Sequence, residues 1–108
     1  MSETVTVYAT TETETEALAI ARKLVEERLV ACANILPRGR SVYRWEGAVV
    51  EEGESYMLLK TTAARAEAAV ARLKELHSFE VPCIAVWPWA GGLADYADWV
   101  AEETRSER

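Results

Sequence analysis

The side chains in this sequence that could hold a soft metal ion such as copper or zinc centre on one histidine and two cysteines. His77 is the only histidine, and five residues separate it from Cys83. One histidine cannot supply the cluster that a closed zinc site takes, although imidazole and thiolate together favour copper or zinc over magnesium. His77 with Cys83, or with a carboxylate across a subunit boundary, is therefore one predicted metal site. The alternative is that His77 only ends a helix, where the helix dipole favours it.

The sequence predicts no catalytic residue. Nucleophilic catalysis would need Cys32 or Cys83 ionised beside His77, and the apolar neighbours of both thiols disfavour a thiolate. Gly91-Gly92 lacks the spacing of a nucleotide-binding loop. Lys60 ends an apolar segment, so its ammonium either extends to solvent or meets an anion or carboxylate in a cleft. We therefore expect a binding protein rather than an enzyme.

Composition limits the partners and the setting. The chain has 108 residues, 50% of them hydrophobic, with a net charge of -6 and no run of Lys or Arg, so we predict one domain over 1–108 and no nucleic-acid partner. No window approaches 18 apolar residues and no leader is evident, so no membrane partner is expected. Widely spaced thiols indicate a reducing, cytoplasmic location. Abundant Glu and Arg, one Asn and no Gln predict a heat-adapted protein.

Hydrophobic periodicity predicts the elements that must position these residues. Alternation predicts a strand at 4–9, and an i, i+3, i+4 stripe predicts a helix at about 14–27, which begins with a Thr13/Glu16 capping box. A strand at 30–36, a kink or bulge after Pro37 and further strand lead to a predicted hairpin tip at 51–53, and the chain returns as a strand at 54–61.

The second half of the chain repeats a helix and a strand and adds a last helix. Thr62 is predicted to cap a second helix that ends near 77–79, followed by a strand at 83–87. Gly91-Gly92 precedes a helix with Leu93, Tyr96, Ala97 and Val100 on one face. This order predicts an α+β, ferredoxin-like split βαβ sandwich with a long hairpin between its second and third strands and an additional C-terminal helix. The aromatic residues on that hairpin exceed what one small sheet buries, which predicts a subunit interface.

Five segments, in the right order along nearly the whole chain, resemble the CutA family of divalent-cation tolerance proteins. They are A-C-A-N-I-L-P at 31–37, S-V-Y-R-W-E-G at 41–47, E-S-Y-M-L-L-K-T at 54–61, H-S-F-E-V-P at 77–82 and G-G-L-A-D-Y-A-D-W at 91–99. The resemblance implies a homotrimer whose long hairpins pair between subunits around a threefold axis. It also implies an association with tolerance of copper and other divalent cations, with no established reaction.

The resemblance further implies which residues gather around the inter-subunit clefts. Besides His77, these are Asn34, Tyr43, Trp45, Lys60, Thr61, Tyr96 and Trp99. The chain departs from the family pattern where Ser78-Phe79 replaces Pro-Tyr and where Cys83 replaces Glu. A cysteine there would shift the preference towards softer metals.

The predicted function is therefore that of a trimeric divalent-cation tolerance protein, with copper or another divalent cation as its ligand and no obligatory cofactor. The alternative is a PII-like signalling or interaction module that binds a small effector in the inter-subunit cleft, an analogy that rests on fold alone.

Overall fold

A computed structural model describes residues 3–106 of the chain. Its sheet is antiparallel and has four strands in the order β2-β3-β1-β4. The elements follow one another as β1 (Thr4–Thr11), α1 (Glu14–Glu26), β2 (Cys32–Trp45), β3 (Ala48–Thr62), α2 (Ala63–Leu76), β4 (Ile84–Pro88) and α3 (Ala94–Glu103). The predicted α+β class, the split βαβ order and the additional C-terminal helix are confirmed.

The core lies between one face of the sheet and the helices α1 and α2. Alternate residues of β1 and β3 point to the same side because side chains of a strand alternate between faces. Val7 and Leu59, which pair across the two strands, are fully buried there against Leu24 of α1 and Leu73 of α2. Burial of each such side chain contributes about 1.5–3 kcal/mol. These contacts fix the position of the whole sheet.

The opposite face of the sheet carries polar and aromatic side chains. Thr6 pairs with both Lys60 and Trp87, and Lys60 also pairs with Cys32, so these side chains point away from α1 and α2. Trp87 is 47% exposed. Since α1 and α2 both lie on the other side, this face is available to other contacts.

The β2–β3 hairpin turns at Glu46-Gly47, which corrects the predicted tip at 51–53. Both turn residues have positive φ, 50° and 85°, as the two-residue turn favoured by the twist of paired strands requires. Gly53 instead lies within β3 and pairs with Arg40. The prediction failed because Glu51-Glu52-Gly53 has the composition of a turn. The chain turns earlier instead, at Glu46-Gly47, where both residues adopt the positive φ of a two-residue turn.

The kink predicted after Pro37 is confirmed as a break in strand register between Leu36 and Gly39. A Cβ atom at Gly39 would lie 2.4 Å from the ring of Tyr56, so only glycine lets that ring cross the strand. The Tyr56 hydroxyl donates a hydrogen bond to the Arg40 carbonyl at 2.6 Å. The bulge thus sets the direction of the outer half of the hairpin.

The helix starts agree with the sequence in one case and differ in the other. Thr13 Oγ1 accepts a hydrogen bond from the Glu16 amide at 3.1 Å, which confirms the predicted cap of α1. Thr62 occupies the N-cap of α2, but its side chain makes no cap hydrogen bond, and the Ala63 amide instead donates to the Glu3 carbonyl at 2.9 Å.

The three helices within residues 3–106 are each too short or too polar to cross a membrane.

Candidate functional site

A cleft of about 850 Å³ opens between the outer half of the hairpin and the body of the chain. Hairpin residues between positions 41 and 54 form one wall, and residues 78–83, between α2 and β4, form the other. The end of β1, with Tyr8 and Thr10, forms the floor. The volume falls within the usual range of small-molecule sites.

The cleft is acidic. Glu12, Glu52, Glu54 and Glu80 line it, and the described lining residues include no Lys or Arg. Tyr43 donates a hydrogen bond to the Glu52 carboxylate at 2.8 Å, and Ser41 donates one to the Glu54 carboxylate. The hydrogen bond to Glu52 is the main cause that raises the pKa of Tyr43, with smaller effects of burial and nearby negative charge. Such a cleft favours cations over anions.

Three of the residues predicted from the sequence line this cleft. Tyr43 and Trp45 come from the hairpin, and Trp45 is 53% exposed. Cys83 comes from the opposite wall, and its thiol is exposed and unpaired. Burial, followed by the charge of Cys83, raises the pKa of Tyr8 on the floor of the cleft. The hairpin and the segment before β4 therefore meet around a thiol and several carboxylates.

Lys60 and Asn34, two further predicted residues, lie on the open face of the sheet near the opposite end of β1, and the predicted Tyr96 and Trp99 belong to α3 beside it. Lys60 donates a hydrogen bond through its ammonium group to Asn34 Oδ1. The Tyr96 hydroxyl shares a hydrogen bond of 3.2 Å with the Cys32 thiol, next to Lys60 in the strand register. This bond, together with burial, raises the pKa of Tyr96 to about 12. Lys60 thus donates to a neutral amide oxygen, whereas the sequence had predicted either solvent or an anion or carboxylate as its partner.

The position of Tyr96 follows from an aromatic stack that holds α3 against the sheet. The Tyr96 ring lies between those of Trp89 and Trp99, with ring centroids 5.8 and 5.9 Å apart. Trp89 Nε1 donates a hydrogen bond to Thr6 Oγ1 at 2.8 Å, which ties the stack to β1. Trp99, predicted as a cleft residue, remains 42% exposed at the outer end. We call the three stacked rings of Trp89, Tyr96 and Trp99, together with the neighbouring Cys32, Lys60 and Asn34, the aromatic cluster.

Thr61 belongs to neither group within the chain. It is fully buried, and its hydroxyl donates a hydrogen bond to the Leu29 carbonyl at 2.8 Å. Its place in strand β3 explains this difference from Lys60, since adjacent residues of a strand face opposite sides of the sheet.

His77 caps the C-terminal end of α2, as the alternative to the metal site predicted, and its side chain is completely buried. Its Nε2 lies 2.7 Å from the Thr10 carbonyl, and its Nδ1 accepts a hydrogen bond from the Phe79 amide at 3.0 Å. The proton therefore belongs on Nε2, because a nitrogen that accepts from an amide has no hydrogen. Both ring nitrogens are engaged within the subunit.

The described residues of one chain do not by themselves gather into a metal centre. Among residues 3–106, no group of three or more His, Cys, Asp or Glu side chains is placed to hold a metal ion. His77 offers no uncommitted lone pair, and the carboxylates of Glu52 and Glu54 already accept hydrogen bonds from Tyr43 and Ser41. Any metal bound at this cleft would have to displace existing hydrogen bonds or take ligands from elsewhere.

The sequence did not reveal the glutamates as part of the site. Placing the hairpin tip at 51–53 put Glu52 in a turn and separated Glu54 from Ser41. In the observed register Ser41 pairs with Glu52 and Tyr43 with Val50. With the turn at Glu46-Gly47, Ser41 and Tyr43 on β2 lie on the same face as Glu52 and Glu54 on β3. A sequence prediction with the turn at that place would have indicated the acidic wall.

The sheet order, the two helices on one face and the extended hairpin define a ferredoxin-like α+β protein with an added C-terminal helix. A family model described as CutA1 divalent ion tolerance protein matches residues 5–103. The divalent-cation tolerance protein CutA of Thermus thermophilus is 46% identical over 98 residues, which cover 91% of this chain and 95% of that relative. The chain therefore belongs to the CutA1 divalent ion tolerance family.

Solved structures agree with this assignment. The structure of the divalent cation tolerance protein from Thermus thermophilus is 44% identical with a TM-score of 0.91, and the match covers 94% of this chain and 99% of that one. The CutA1 protein from Ehrlichia chaffeensis is 30% identical with a TM-score of 0.93, over 98% of this chain and 99% of that one. The same subunit fold is thus retained at both levels of identity.

Proposed function

We propose that the chain acts as a homotrimeric binding protein in the tolerance of divalent cations, not as an enzyme, and that its acidic cleft is where cations bind. The observation that carries this proposal is that four glutamates and Cys83 line one cleft, with no Lys or Arg among its described lining residues. Carboxylate oxygens attract divalent cations in general, and a thiolate adds a preference for copper or zinc.

The trimer is supported by surface that the single chain leaves uncovered. Val42, Trp45 and Val49 on the outer hairpin are 67%, 53% and 62% exposed. The edge strands β2 and β4 also each have one side without a partner strand. Exposed apolar ribbons and open edges favour association with another chain. Other subunits at the hairpin would border the cleft and could complete the set of ligands that one chain lacks.

Sedimentation equilibrium tests the assembly. We expect a trimer at micromolar concentration, with a melting temperature that rises with protein concentration and lies above ~65 °C, the upper end of the usual mesophilic range. A folded monomer at that concentration would contradict the assembly.

Calorimetric titration of copper into the full-length protein tests the cation site. Cys83→Ser and Glu52→Gln should each weaken copper binding, whereas Glu67→Gln, on the exposed side of α2, should not. The predicted pair of His77 and Cys83 stays a prediction, and it requires that one hydrogen bond of the imidazole be broken. Copper binding that is absent, or identical in all three variants, would exclude the cleft.

A second candidate function is the PII-like module with a small effector between subunits. The observation that favours it is the aromatic cluster, where the Lys60 ammonium and the Asn34 amide lie on the same open face as a stack of three rings. Aromatic faces with a cation nearby suit a planar anionic effector. Titration with a nucleoside triphosphate should give binding that Lys60→Ala abolishes and Glu52→Gln leaves unchanged. No heat of binding would reject this candidate.

We also propose a cytoplasmic location, which the two unpaired thiols support because reducing compartments keep cysteines free. Cell fractionation against a periplasmic marker enzyme tests it, and recovery with that marker would contradict it.

A further inference from the structure

The wall of the cleft formed by residues 78–83 has little regular structure of its own. It consists of bends and irregular backbone between the end of α2 and the start of β4. Each of its six residues lines the cleft, including Glu80 and Cys83. The shape of such a segment depends on its attachment to α2 and β4 at its two ends and on the hydrogen bonds that its backbone amides donate.

We infer that His77 is a positioning residue: its neutral imidazole links β1 to the segment 78–83 and thereby fixes one wall of the cleft, and it is not a metal ligand. The inference rests on the proposed function only in giving importance to the cleft. The linkage itself is a property of the subunit without any cation.

The imidazole makes a hydrogen bond on each side. Nε2–H donates to the Thr10 carbonyl on the floor of the cleft, and Nδ1 accepts from the Phe79 amide in its wall. The Phe79 ring also packs against the imidazole in a tilted arrangement, with centroids 5.0 Å apart and 49° between the ring planes. A side chain that is both donor and acceptor is needed here, and among the side chains a neutral histidine provides both across one rigid ring.

Helix α1 supports the same wall through Glu16. Its carboxylate accepts a hydrogen bond from the Ser78 amide at 2.9 Å and lies 3.9 Å from His77 Nδ1. Two consecutive amides, those of Ser78 and Phe79, are therefore held by side chains from two different helices. The wall is connected to α1, to α2 and to β1 by bonds that a displaced segment could not keep.

The same geometry disfavours coordination by His77. A metal needs a lone pair, and the only one in this tautomer is on Nδ1, where the Phe79 amide donates. Coordination would leave that amide without its partner and would require a buried side chain to open to the cation. A cation bound through Cys83 and the carboxylates, with ligands from elsewhere, would leave both hydrogen bonds of the imidazole intact.

Two substitutions separate the two bonds of the ring. His77→Asn places an amide oxygen near the position of Nδ1, so it can accept from Phe79 but not reach Thr10. His77→Gln places an amide nitrogen near Nε2, so it can donate to Thr10 but loses the acceptor for Phe79. Amide hydrogen exchange in the full-length protein reports the outcome, with the Leu24 and Leu59 amides as internal controls for global opening.

We expect the Phe79 amide to exchange roughly tenfold faster in His77→Gln, relative to the two control amides, and to stay protected in His77→Asn. Equal protection of Phe79 in the two variants, after correction by the control amides, would overturn the inference. If the variants do not fold, nitrogen NMR of the unaltered protein decides, since it must show a neutral ring with its proton on Nε2. A ring protonated on Nδ1 would also overturn it.

Zinc serves as the probe that separates this inference from the proposed function. When zinc is titrated into the unaltered protein, we expect binding without a coordination shift of the His77 nitrogens and without faster exchange at Phe79. A direct shift of Nδ1 together with loss of Phe79 protection would identify His77 as a ligand and overturn the inference. If zinc and copper fail to bind, the cation function is rejected, while the exchange rates of the two variants still decide the role of His77.

Discussion

The two ends of the β2–β3 hairpin differ in how they are stabilised. The end near Leu59 lies under α1 and α2, where apolar side chains from three elements bury one another completely. The end near Trp45 extends beyond both helices, and its large apolar side chains remain exposed. The same pair of strands is therefore buried in the hydrophobic core at one end and leaves large apolar side chains exposed at the other. We therefore expect the inner end to carry most of the stability of the chain, whereas the outer end lines the acidic cleft and carries the exposed surface on which the proposed assembly depends.

The largest effect should come from opening the inner end. Leu24→Ala removes a fully buried side chain and should lower the free energy of unfolding by ~2–5 kcal/mol, through lost burial and a remaining cavity. Leu18→Ala on the same helix is the matched control, because Leu18 is 52% exposed and its change should stay within ~0.5 kcal/mol. Denaturant unfolding measures both. Similar losses for the two variants would mean that the outer face of α1 is covered in the assembly.

An intermediate effect is expected at the bulge that separates the two ends. Gly39→Ala forces the Tyr56 ring away and breaks its hydrogen bond to Arg40, which should cost about 1–3 kcal/mol. Gly53→Ala is the matched control in the paired strand, since its Cβ would meet its nearest atom at an ordinary 3.8 Å. Both are measured by denaturant unfolding, followed in the far ultraviolet. Equal stability of the two variants would show that the ring adapts without cost.

These two ends also differ in how well the sequence predicted them. Periodicity placed α1 and the buried stripe of Leu24 correctly, because burial on one face leaves a regular pattern in the sequence. The outer hairpin is exposed on both faces, so its strand alternation carried little information and the turn was placed too late. The acidic cleft was missed for the same reason. Lys60 was singled out as the end of an apolar segment, but its contact with Asn34 was not predicted, and neither was that of Tyr96 with Cys32, because a contact between distant segments leaves no local pattern.

A smaller effect is expected on the pKa of one tyrosine in each region, Tyr96 in the aromatic cluster and Tyr43 in the cleft. The pKa of Tyr96, raised to about 12 by its bond to Cys32 and by burial, should fall towards 10.0 in Cys32→Ala. Because the folded state favours the neutral hydroxyl, the associated stability is present below the ordinary pKa and is lost as the pH rises through about 12. Carbon NMR of the tyrosine rings follows each titration.

Tyr43 supplies the control for this titration in the other region. Its raised pKa depends mainly on Glu52, so Glu52→Gln should lower it and Cys32→Ala should leave it unchanged. A shift of both tyrosines in either variant would mean that the cleft and the aromatic cluster are not independent.

The smallest effect concerns an ion pair between the two helices that cover the inner end. Arg72 binds the Glu27 carboxylate through two hydrogen bonds of 2.9 Å, and these bonds are the main cause that lowers the pKa of Glu27, against a small opposing effect of burial. A lowered pKa means that the stabilisation is complete above the ordinary pKa of a glutamate and is lost as the pH falls through the lowered value.

Because the pair between Arg72 and Glu27 is exposed to solvent, added salt should weaken it. Arg72→Gln should therefore reduce the loss of stability on acidification, measured by denaturant unfolding between neutral and acidic pH. Arg105→Gln, just beyond the end of α3, removes a more exposed pair with Glu102 and should change that dependence far less. Identical acid dependence in Arg72→Gln and the unaltered protein would show that the pair adds nothing to the packing of α1 against α2.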